Sequence, residues 1–420
     1  PSFLLPVRDL NTGVCRGQKT CVDGEFVNAY EAIPGYEETE SSCDFLDNDC
    51  DGSTDETLRV LRFIDNDDDG FDGNPDVRPD AVETCDGVDQ DGNGAVDDGD
   101  LCPAGQLCAD AACVPCVAPP ATAPTVISDT TAWCGSSTVA VSADMTIAPG
   151  GVLRIGPGVT LAFEAGVRVT VRGHLEAMGD EAAPVRFISA AADPAAGDWA
   201  GVNKSDAASF VQFSHAEAAG VAILQGNTED GRYRVVDTLV RLSLSGIWRA
   251  DVIRCEIQDV SARGVTVCNV RDTVIERVTG TSTGNAGACY RCNGRGLTIR
   301  NNEIAFNTPA RLCDSLIDSN NRFGTSGGGL TLTDSTVVNN GDPLTAASTV
   351  SNSNICGNGA GTDIVAPTAG ARSFANNYWC TTDESEIAMR ITDLNDDPLL
   401  DEVDFLPILS APATGAPAIP

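Results

Sequence analysis

The stretch GGVLRIGPGVTLAFEAGVRVTVRGHLEAMG, residues 150–179, consists of short apolar runs separated by glycine corners. Within it, residues 159–164 and 168–173 alternate apolar and polar side chains, which is the pattern of a half-buried β-strand. No long amphipathic helix interrupts these runs. The stretch therefore predicts short strands joined by tight corners, and it indicates an all-β fold for the body of the chain.

A weak repeat extends this pattern toward the C-terminus, with a polar corner residue ahead of each short apolar strand. A period near ~20 residues that is built only from strands and turns is typical of a solenoid, whose copies stack on one another. We therefore predict a parallel β-helix. The copies are DTLV (237–240), RCEI (254–257), DTVI (272–275), NNEI (301–304), DSLI (314–317), DSTV (334–337) and NSNI (352–355).

The inward-facing residues of each strand should fill the interior of this solenoid. Cysteines on consecutive turns should either stack in the same core or form disulfides between turns. The expected inward residues are Val152, Ile155, Leu161, Phe163, Val169, Val171, Phe187, Ile257, Ile275, Ile304 and Ile317. The cysteines are Cys255, Cys268, Cys289, Cys292 and Cys313.

Four asparagines lie three residues beyond successive apolar positions of the repeat: Asn307, Asn320, Asn340 and Asn358. Asparagine tolerates left-handed corner geometry, and stacked copies can hydrogen-bond to one another. We predict an asparagine ladder at one corner, the alternative being four unrelated loop residues.

Beyond the repeat, TTDESEIAMRI (381–391) predicts a short capping helix in which Thr381 and Glu384 form a capping box.

The first third of the chain carries a repeated Cys-Asp motif. CDFLDNDCDGSTDE (43–56) aligns without gaps with CDGVDQDGNGAVDD (85–98), and a further acidic run, DNDDDGFDGNPD (65–76), lies between them. All three share one frame, with oxygen-bearing side chains at positions 1, 3 and 5 and glycine at position 6. A tight loop with this spacing turns alternate side chains toward a hard cation, and the glycine permits the sharp turn.

We predict that these runs are free-standing calcium loops, because they match a complete EF-hand loop only in part and lack helical flanks. A late ligand would come from Asp55 or Glu56 in the first run and from Asp97 or Asp98 in the third. The alternative is a solvated acidic linker, which three in-frame copies make the poorer interpretation. The predicted calcium ligands are Asp47, Asp49, Asp51, Asp55, Glu56, Asp65, Asp67, Asp69, Asp76, Asp89, Asp91, Asn93, Asp97 and Asp98.

Seventeen cysteines and two histidines favour disulfides, and hence an oxidising compartment, over zinc sites. Many of the cysteines lie in the first 116 residues, where disulfides and metal ions would replace a hydrophobic core. Cys113 and Cys116 would alone fit a redox or zinc pair, but the run CPAGQLCADAACVPC (102–116) is better interpreted as a small disulfide knot. Because the total is odd, at least one thiol is free or pairs between molecules.

The net charge of −35 is concentrated in the first 120 residues and argues against nucleic acid and anionic membranes as partners. The sequence has no apolar run long enough to cross a membrane. No signal peptide precedes Pro1, so an exported protein of this sequence is expected to be processed or to be part of a longer precursor.

Two resemblances follow from these residues. GVLRIGPGVTLAFEAGVRVTVRGHLEAMGDEAAPVRFIS followed by GDWAGV resembles the opening turns of right-handed parallel β-helices of the pectate-lyase-like type in secreted bacterial proteins, and FANNYWCTTDESEI resembles their closing segment. The Cys-Asp runs resemble metal-binding repeats of exported myxobacterial proteins. Gly92 departs from that pattern by standing where the first copy has Cys50, so Cys85 needs another partner or stays free.

Together these features predict four regions, divided in part by the Pro/Ala-rich segment 114–125. They are a Cys/Asp-rich calcium-binding region (1–120), a linker and N-terminal cap (121–142), the parallel β-helix (143–380) and a closing segment (381–420).

We predict a non-enzymatic, calcium-stiffened structural or adhesive protein that is extracellular or lies on the cell surface. Its partners would be copies of itself or other surface proteins, its only cofactor Ca²⁺, and it would have no catalytic residues. The alternative is a protein that binds or cleaves extracellular polysaccharide on one solenoid face. Paired carboxylates on adjacent turns, which hydrolysis requires, are not evident, and His174 and His215 are isolated. A dedicated copper binder is a further option, which the lack of a His/Met ligand set disfavours.

Overall fold

A computed structural model describes residues 81–227, 232–280, 287–306, 310–322, 330–345, 349–367 and 372–420. It also describes the strands Lys19–Val22 and Glu25–Asn28, which pair as an antiparallel hairpin. The chain divides into two compact units. Residues 62–308 and 320–326 form the main unit, and residues 1–61, 309–319 and 327–420 form the C-terminal unit.

The main unit is a parallel β-solenoid whose strands stack in three ladders, A, B and C, which confirms the predicted all-β class. Ladder A begins with an antiparallel hairpin between Gln106–Ala109 and Ala112–Val117 and then continues in parallel. Its further strands are Thr130–Trp133, Val152–Ile155, His174–Met178, Phe210–Ser214, Tyr233–Val236, Asp251–Ile253, Asn269–Arg271 and Asn293–Arg295.

Ladders B and C complete each turn, and the two long strands Leu239–Trp248 and Glu256–Thr266 belong to both of them. Ladder B otherwise contains Thr138–Val141, Thr160–Phe163, Val185–Ser189, Ala216–Ala219, Val274–Val278 and Thr298–Arg300. Ladder C otherwise contains Val126–Ile127, Met145–Ile147, Arg168–Val171, Gly201–Lys204, Leu224–Gln225 and Gly287–Tyr290.

The C-terminal unit has parallel stacks of its own. They are Ala310–Cys313, Leu330–Thr333 and Thr349–Ser351; Leu316–Asp318, Thr336–Val338 and Asn354–Cys356; and Leu344–Thr345, Ile364–Val365 and Ile391–Thr392. The pair Arg372–Ser373 and Val403–Asp404, the 3-10 turn Gly359–Gly361 and the α-helix Glu384–Ala388 complete it. Within the described residues, no helix is both long and apolar enough to span a membrane.

The parallel stacking includes strands from residue 112 onward, whereas the sequence predicted a β-helix that begins at residue 143. Cys116 of the cysteine-rich run is already in register with Ala132, and Thr130–Trp133 is in register with Val152–Ile155. The Pro/Ala-rich segment breaks the periodic pattern on which the prediction depended, although the chain on both sides of it contributes strands to the stack.

Every residue that was predicted to face the interior is buried. Inward positions stack residue on residue through the ladders, so that Leu161 lies in register with Phe187 and Phe187 with Ala218. Aromatic rings add a stack of their own, with the ring centroids of Phe163 and Trp199 4.1 Å apart. The core is therefore a continuous column of apolar side chains along the solenoid axis.

The corner residue of the repeat adopts a left-handed conformation, which explains its polar identity. Asp237, Asp272, Asp314, Asp334 and Asn352 all have φ between 45° and 49°, a region that aspartate and asparagine tolerate better than most residues.

One copy of the repeat was assigned to the wrong residues. NNEI (301–304) was predicted to be a strand, but the strand in register with Ile275 is Thr298–Arg300, through Ile299. Its corner residue is Gly296, with φ of 67°. A pattern that requires a polar corner does not identify this copy, because glycine replaces the aspartate.

The residue after each corner forms a second ladder that the sequence analysis did not identify. Its hydroxyl group accepts a hydrogen bond from the backbone N–H of the turn before, as Thr273 does from Cys255, Ser335 from Ser315, and Ser353 from Ser335. A buried polar side chain is stable here because both its donor and its acceptor functions are satisfied.

The predicted asparagine ladder is present, and Asn302 is a further member of it. In the main unit, Asn302 donates its Nδ2 hydrogen to Asn320 Oδ1 at 2.9 Å. In the C-terminal unit, Asn340 makes the same bond to Asn358, also at 2.9 Å. Asn302, three residues after Ile299, was not among the predicted members, and the predicted member Asn307 lies outside the described residues.

The disulfides form the knot expected near the N-terminus. Cys85 pairs with Cys108 in place of the missing partner at Gly92, and the knot also contains Cys102–Cys113 and Cys116–Cys134. Further along, Cys289–Cys292 and Cys356–Cys380 are bonded, and so is Cys313. Cys255 and Cys268 are buried free thiols, and burial raises the pKa of each to about 12.

The predicted capping helix is present at Glu384–Ala388, but its N-cap is Asp383 rather than Thr381. The Asp383 carboxylate accepts hydrogen bonds from the N–H groups of Ser385 and Glu386, so it satisfies the first free donors of the helix. The Thr381 hydroxyl instead supports the cap by accepting from the N–H of Asp383.

Replacing Asn340 with alanine should destabilise the protein by about 3 kcal/mol. Its Nδ2 group donates to the carbonyl oxygens of Ile317 and Val338 as well as to Asn358, and these buried acceptors would lose their donor. Urea unfolding of the full chain measures the change. The exposed Asn321→Ala, which loses only a bond to Glu303, is the control and should stay within about 0.5 kcal/mol of the wild type. Equal losses of stability in both variants would show that the buried ladder bonds contribute no more than one exposed hydrogen bond.

Candidate metal centre

The third acidic run folds into a compact loop that gathers several carboxylates. Oxygen atoms of Glu83, Asp89 and Asp91 all lie within 4.8 Å of one another. Asn93 Nδ2 lies 3.0 Å from Asp91 Oδ2 and 3.2 Å from Asp98 Oδ2, and so connects a fourth carboxylate to the group. We call these five residues the acidic cluster. It contains four of the five ligands predicted in this run.

The turn at the predicted glycine brings these side chains together. Gly94 has φ of 97°, a conformation that L-residues rarely adopt, and its N–H donates to Asp89 Oδ2 at 2.9 Å. Asp91 Oδ1 accepts from the N–H of Asn93, and Asn93 Oδ1 accepts from the N–H of Ala95. The side chains at positions 1, 3 and 5 of the frame thus accept hydrogen bonds from backbone N–H groups a few residues later, and the glycine at position 6 permits the turn.

Asp97, the fifth predicted ligand of this run, has its carboxylate directed elsewhere. Its Oδ1 accepts hydrogen bonds from the N–H groups of Asp86 and Gly87, each at 2.9 Å, which closes the loop on itself. Of the two alternatives considered for the late ligand, the geometry therefore favours Asp98.

Glu83 is a member of the cluster that the sequence analysis missed. Its Oε1 accepts from the N–H groups of Gln90 and Asp91, at 2.6 and 2.9 Å, which places the carboxyl group beside Asp89. Glu83 stands two residues before Cys85, and the matching position before Cys43 is Ser41. Alignment of the two copies could not reveal Glu83, because only one copy has an acid there.

Burial and mutual repulsion make the cluster electrostatically unfavourable without a cation. Burial, followed by repulsion from Asp89 and Asp98, raises the pKa of Glu83 to about 7. Burial likewise raises the pKa of Asp89 to about 6, although Arg234 acts in the opposite direction. A bound cation would stabilise the charged carboxylates and so lower the pKa values of both Glu83 and Asp89.

The donor atoms of the cluster are oxygen, which suits a hard cation such as Ca²⁺. Cys85, Cys102 and Cys113 lie close to one another, as do Cys85, Asp97 and Cys108, but all of these cysteines are in disulfides and offer no thiolate. The residues present therefore fit Ca²⁺, which they would hold through the carboxylate oxygens.

The two histidines lie near this part of the chain but outside the cluster. His174 Nδ1 is 3.1 Å from Asp110 Oδ1, so it forms a partly exposed pair. His215 Nδ1 is 3.3 Å from the hydroxyl oxygen of Ser214.

The ligands predicted in the first two runs lie outside the described residues and stay predictions. They are Asp47, Asp49, Asp51, Asp55, Glu56, Asp65, Asp67, Asp69 and Asp76.

Comparison with known proteins supports a metal-binding motif in this region. The family model Cu-binding_MopE, described as "Putative metal-binding motif", matches residues 35–56 and 72–98, which include the first and third runs. Among solved structures, pectate lyase Pel9A is similar with 12% identity and a TM-score of 0.17, over 53% of this chain and 62% of that chain, less than two thirds of its length. The comparison with curated proteins found no match. The chain thus combines a parallel β-solenoid with N-terminal repeats of a metal-binding motif.

Without calcium, the stability of this loop should fall as the pH rises from 5 to 7. The raised pKa values of Glu83 and Asp89 mean that the folded loop binds more protons than the unfolded chain in this range, so deprotonation favours unfolding. Urea midpoints of the full chain in chelator at several pH values measure the slope.

Two comparisons test the cause of this slope. Glu83→Gln should flatten it, because the neutral amide cannot release a proton. Excess calcium should reverse it, because the ion binds the deprotonated carboxylates. A midpoint that rises from pH 5 to 7 in chelator would contradict the assignment.

Proposed function

We propose that this protein is a calcium-stiffened structural module, and that the third Cys-Asp run binds Ca²⁺ through the acidic cluster. The observation that carries the proposal is the convergence of Glu83, Asp89, Asp91 and Asp98 in one tight turn, with burial raising the pKa of Glu83 and of Asp89. The first two runs share its frame and would bind the same ion. Calcium would then replace the hydrophobic core that this acidic region lacks.

Copper is the competing ion, since the matching family model carries that metal in its name. Cu(I) favours thiolate and thioether ligands, and Cu(II) favours imidazole. The acidic cluster offers carboxylate oxygens, and the cysteines next to it are oxidised to disulfides. The donor set therefore supports calcium.

A non-enzymatic role is supported by the ion pairs that three glutamates of the solenoid make with arginines. Glu176 is paired with Arg154, Glu217 with Arg186 and Arg241, and Glu276 with Arg277 and Arg300. Burial acts against ionisation of Glu276, but hydrogen bonds from Arg300 and Arg277 outweigh it and lower the pKa of this carboxyl group, so Glu276 is less suited to act as a general acid. The disulfides support the proposal that the protein is exported and works outside the cell or on its surface.

Calcium titration of the full chain by calorimetry tests the proposed site. Wild-type protein should bind Ca²⁺, and a calcium concentration ~100 times the dissociation constant should stabilise it by about 2.7 kcal/mol per site. Asp91→Asn keeps the size of the side chain but removes one charge from the cluster, so it should weaken the tightest binding or remove one site. Glu181→Gln, an exposed acid on the solenoid, should bind calcium as the wild type does.

Two results would overturn the proposal. One is a wild-type protein whose unfolding and protease resistance are the same in calcium and in chelator. The other is tight binding of copper with no response to calcium.

We also propose that the protein assembles with copies of itself, with other surface proteins as the second class of partner. Four large apolar side chains of the C-terminal unit are exposed within a short stretch of sequence, and Met389 and Leu399 are 79% and 74% exposed. Leu394 and Leu406 are the other two. Exposed apolar groups of this number favour contact with another protein surface.

Electron microscopy of the purified protein tests assembly. Filaments or sheets should form in millimolar calcium and dissolve in excess chelator. The double variant Met389→Glu/Leu399→Glu should prevent their formation, because charged side chains would have to be buried in the contact. Leu244→Glu, on an exposed position of the main unit, is the control and should assemble normally. Single particles under every condition would exclude self-assembly.

A further inference from the structure

The outer face of ladder A is apolar where the third acidic loop covers it. By the alternation along their strands, Met178, Val236 and Ile253 point away from the solenoid interior, where polar residues are usual. All three are nevertheless buried, and they form one cluster with Ala95 of the loop. The sequence of the solenoid therefore provides an apolar surface for this loop.

Arg254 breaks the rule for corner residues at the edge of the same surface. It has φ of 49° at the repeat position where Asp237 and Asp272 stand in the turns on either side. Its Nη1 donates to the carbonyl oxygen of Asn93 at 2.6 Å, while Nε and Nη2 bind the Asp237 carboxylate at 2.8 and 2.5 Å. Arg254 thus makes a contact with the loop that aspartate or asparagine at this corner would be too short to make.

Two further side chains of ladder A hold the main chain of the loop. Gln212 Oε1 accepts from the N–H of Val96 at 3.1 Å, and its Nε2 donates to the carbonyl oxygen of the same residue at 2.9 Å. The buried guanidinium of Arg154 donates to the carbonyl oxygen of Asp97 at 3.2 Å and to Glu176 at 3.2 Å. The loop is thus fixed at Asn93, Val96 and Asp97, which lie between the cluster members Asp91 and Asp98.

We infer that the outer face of ladder A is the second half of the metal centre, with Arg254 and Gln212 as positioning residues that set its calcium affinity. They touch only the backbone of the loop, but they fix the distance between the early ligands and the late ligand Asp98. A loop that is preorganised in this way binds its ion more tightly, because less conformational entropy is lost on binding. The inference rests on the proposed calcium site.

Arg254→Asn is the decisive variant. Asparagine suits the left-handed corner, so the solenoid should be at least as stable, whereas the contact with Asn93 is lost. Calcium affinity of the full chain, measured by calorimetry, should fall about tenfold. If Arg254 had only a structural role, its replacement would not lower the calcium affinity while leaving the free energy of unfolding in chelator unchanged. Gln212→Ala is the second variant and should lower calcium affinity to a similar extent.

The chain supplies a matched control in Arg277→Asn. Arg277 also stands at a left-handed corner, with φ of 55°, and binds the aspartate one turn earlier, Asp259, at 2.8 Å. Its described hydrogen bonds and ion pairs go to Asp259, Gln258 and Glu276 rather than to residues 83–98. Arg277→Asn should therefore bind calcium within about twofold of the wild type.

The outcomes separate the two proposals. Wild-type affinity in Arg254→Asn and Gln212→Ala would overturn the inference and leave the calcium site standing. Equal losses of calcium affinity in Arg254→Asn and Arg277→Asn would also overturn the inference, because the effect would then come from replacing an arginine at any left-handed corner. A wild-type protein that binds no calcium would overturn the proposed function itself, and this inference with it.

Discussion

Parallel hydrogen bonding between successive turns is the constraint on which the rest of this structure depends. Because each strand must lie in register with the strand below, every turn has to place similar residues at the same height. The apolar column inside, the left-handed aspartates at the corner, and the hydroxyl and asparagine ladders all follow from it. In the hydroxyl and asparagine ladders, buried polar groups hydrogen-bond between successive turns, so a polar side chain at these positions stabilises the stack when it is repeated.

The acidic loop is held together by different interactions, since few of its own side chains are apolar. Its shape depends on side chains that bind nearby backbone, on the Cys85–Cys108 bridge and on a surface provided by the solenoid. Carboxylates that repel one another are held together in this way, and a cation would balance the cost. The two parts of the main unit are therefore interdependent, because the solenoid supplies the support and the loop covers an apolar face that would otherwise be in water.

The sequence was sufficient to predict the fold class and the buried core, because alternation and the period near ~20 residues are direct consequences of stacking. The sequence prediction failed at the repeat copy that contains Ile299. Glycine there adopts the left-handed corner conformation that aspartate adopts in other copies, so the polar signal is missing. The frame of the third run indicated the members of the cluster apart from Glu83. Glu83 and Arg254 could not be found, since their roles depend on contacts between segments that are distant in sequence and break the local pattern.

The position of the loop has a mechanical consequence. Through Arg154, Met178, Gln212, Val236 and Ile253 it touches five successive strands of ladder A, a distance of ~20 Å along the solenoid axis. A pull on the chain ahead of Cys85 would pass through the Cys85–Cys108 bridge directly to ladder A and would bypass the loop between the two cysteines. The loop would therefore keep its contacts with the flank of these strands, and with them the arrangement of its carboxylates, while the chain outside it carries the tension.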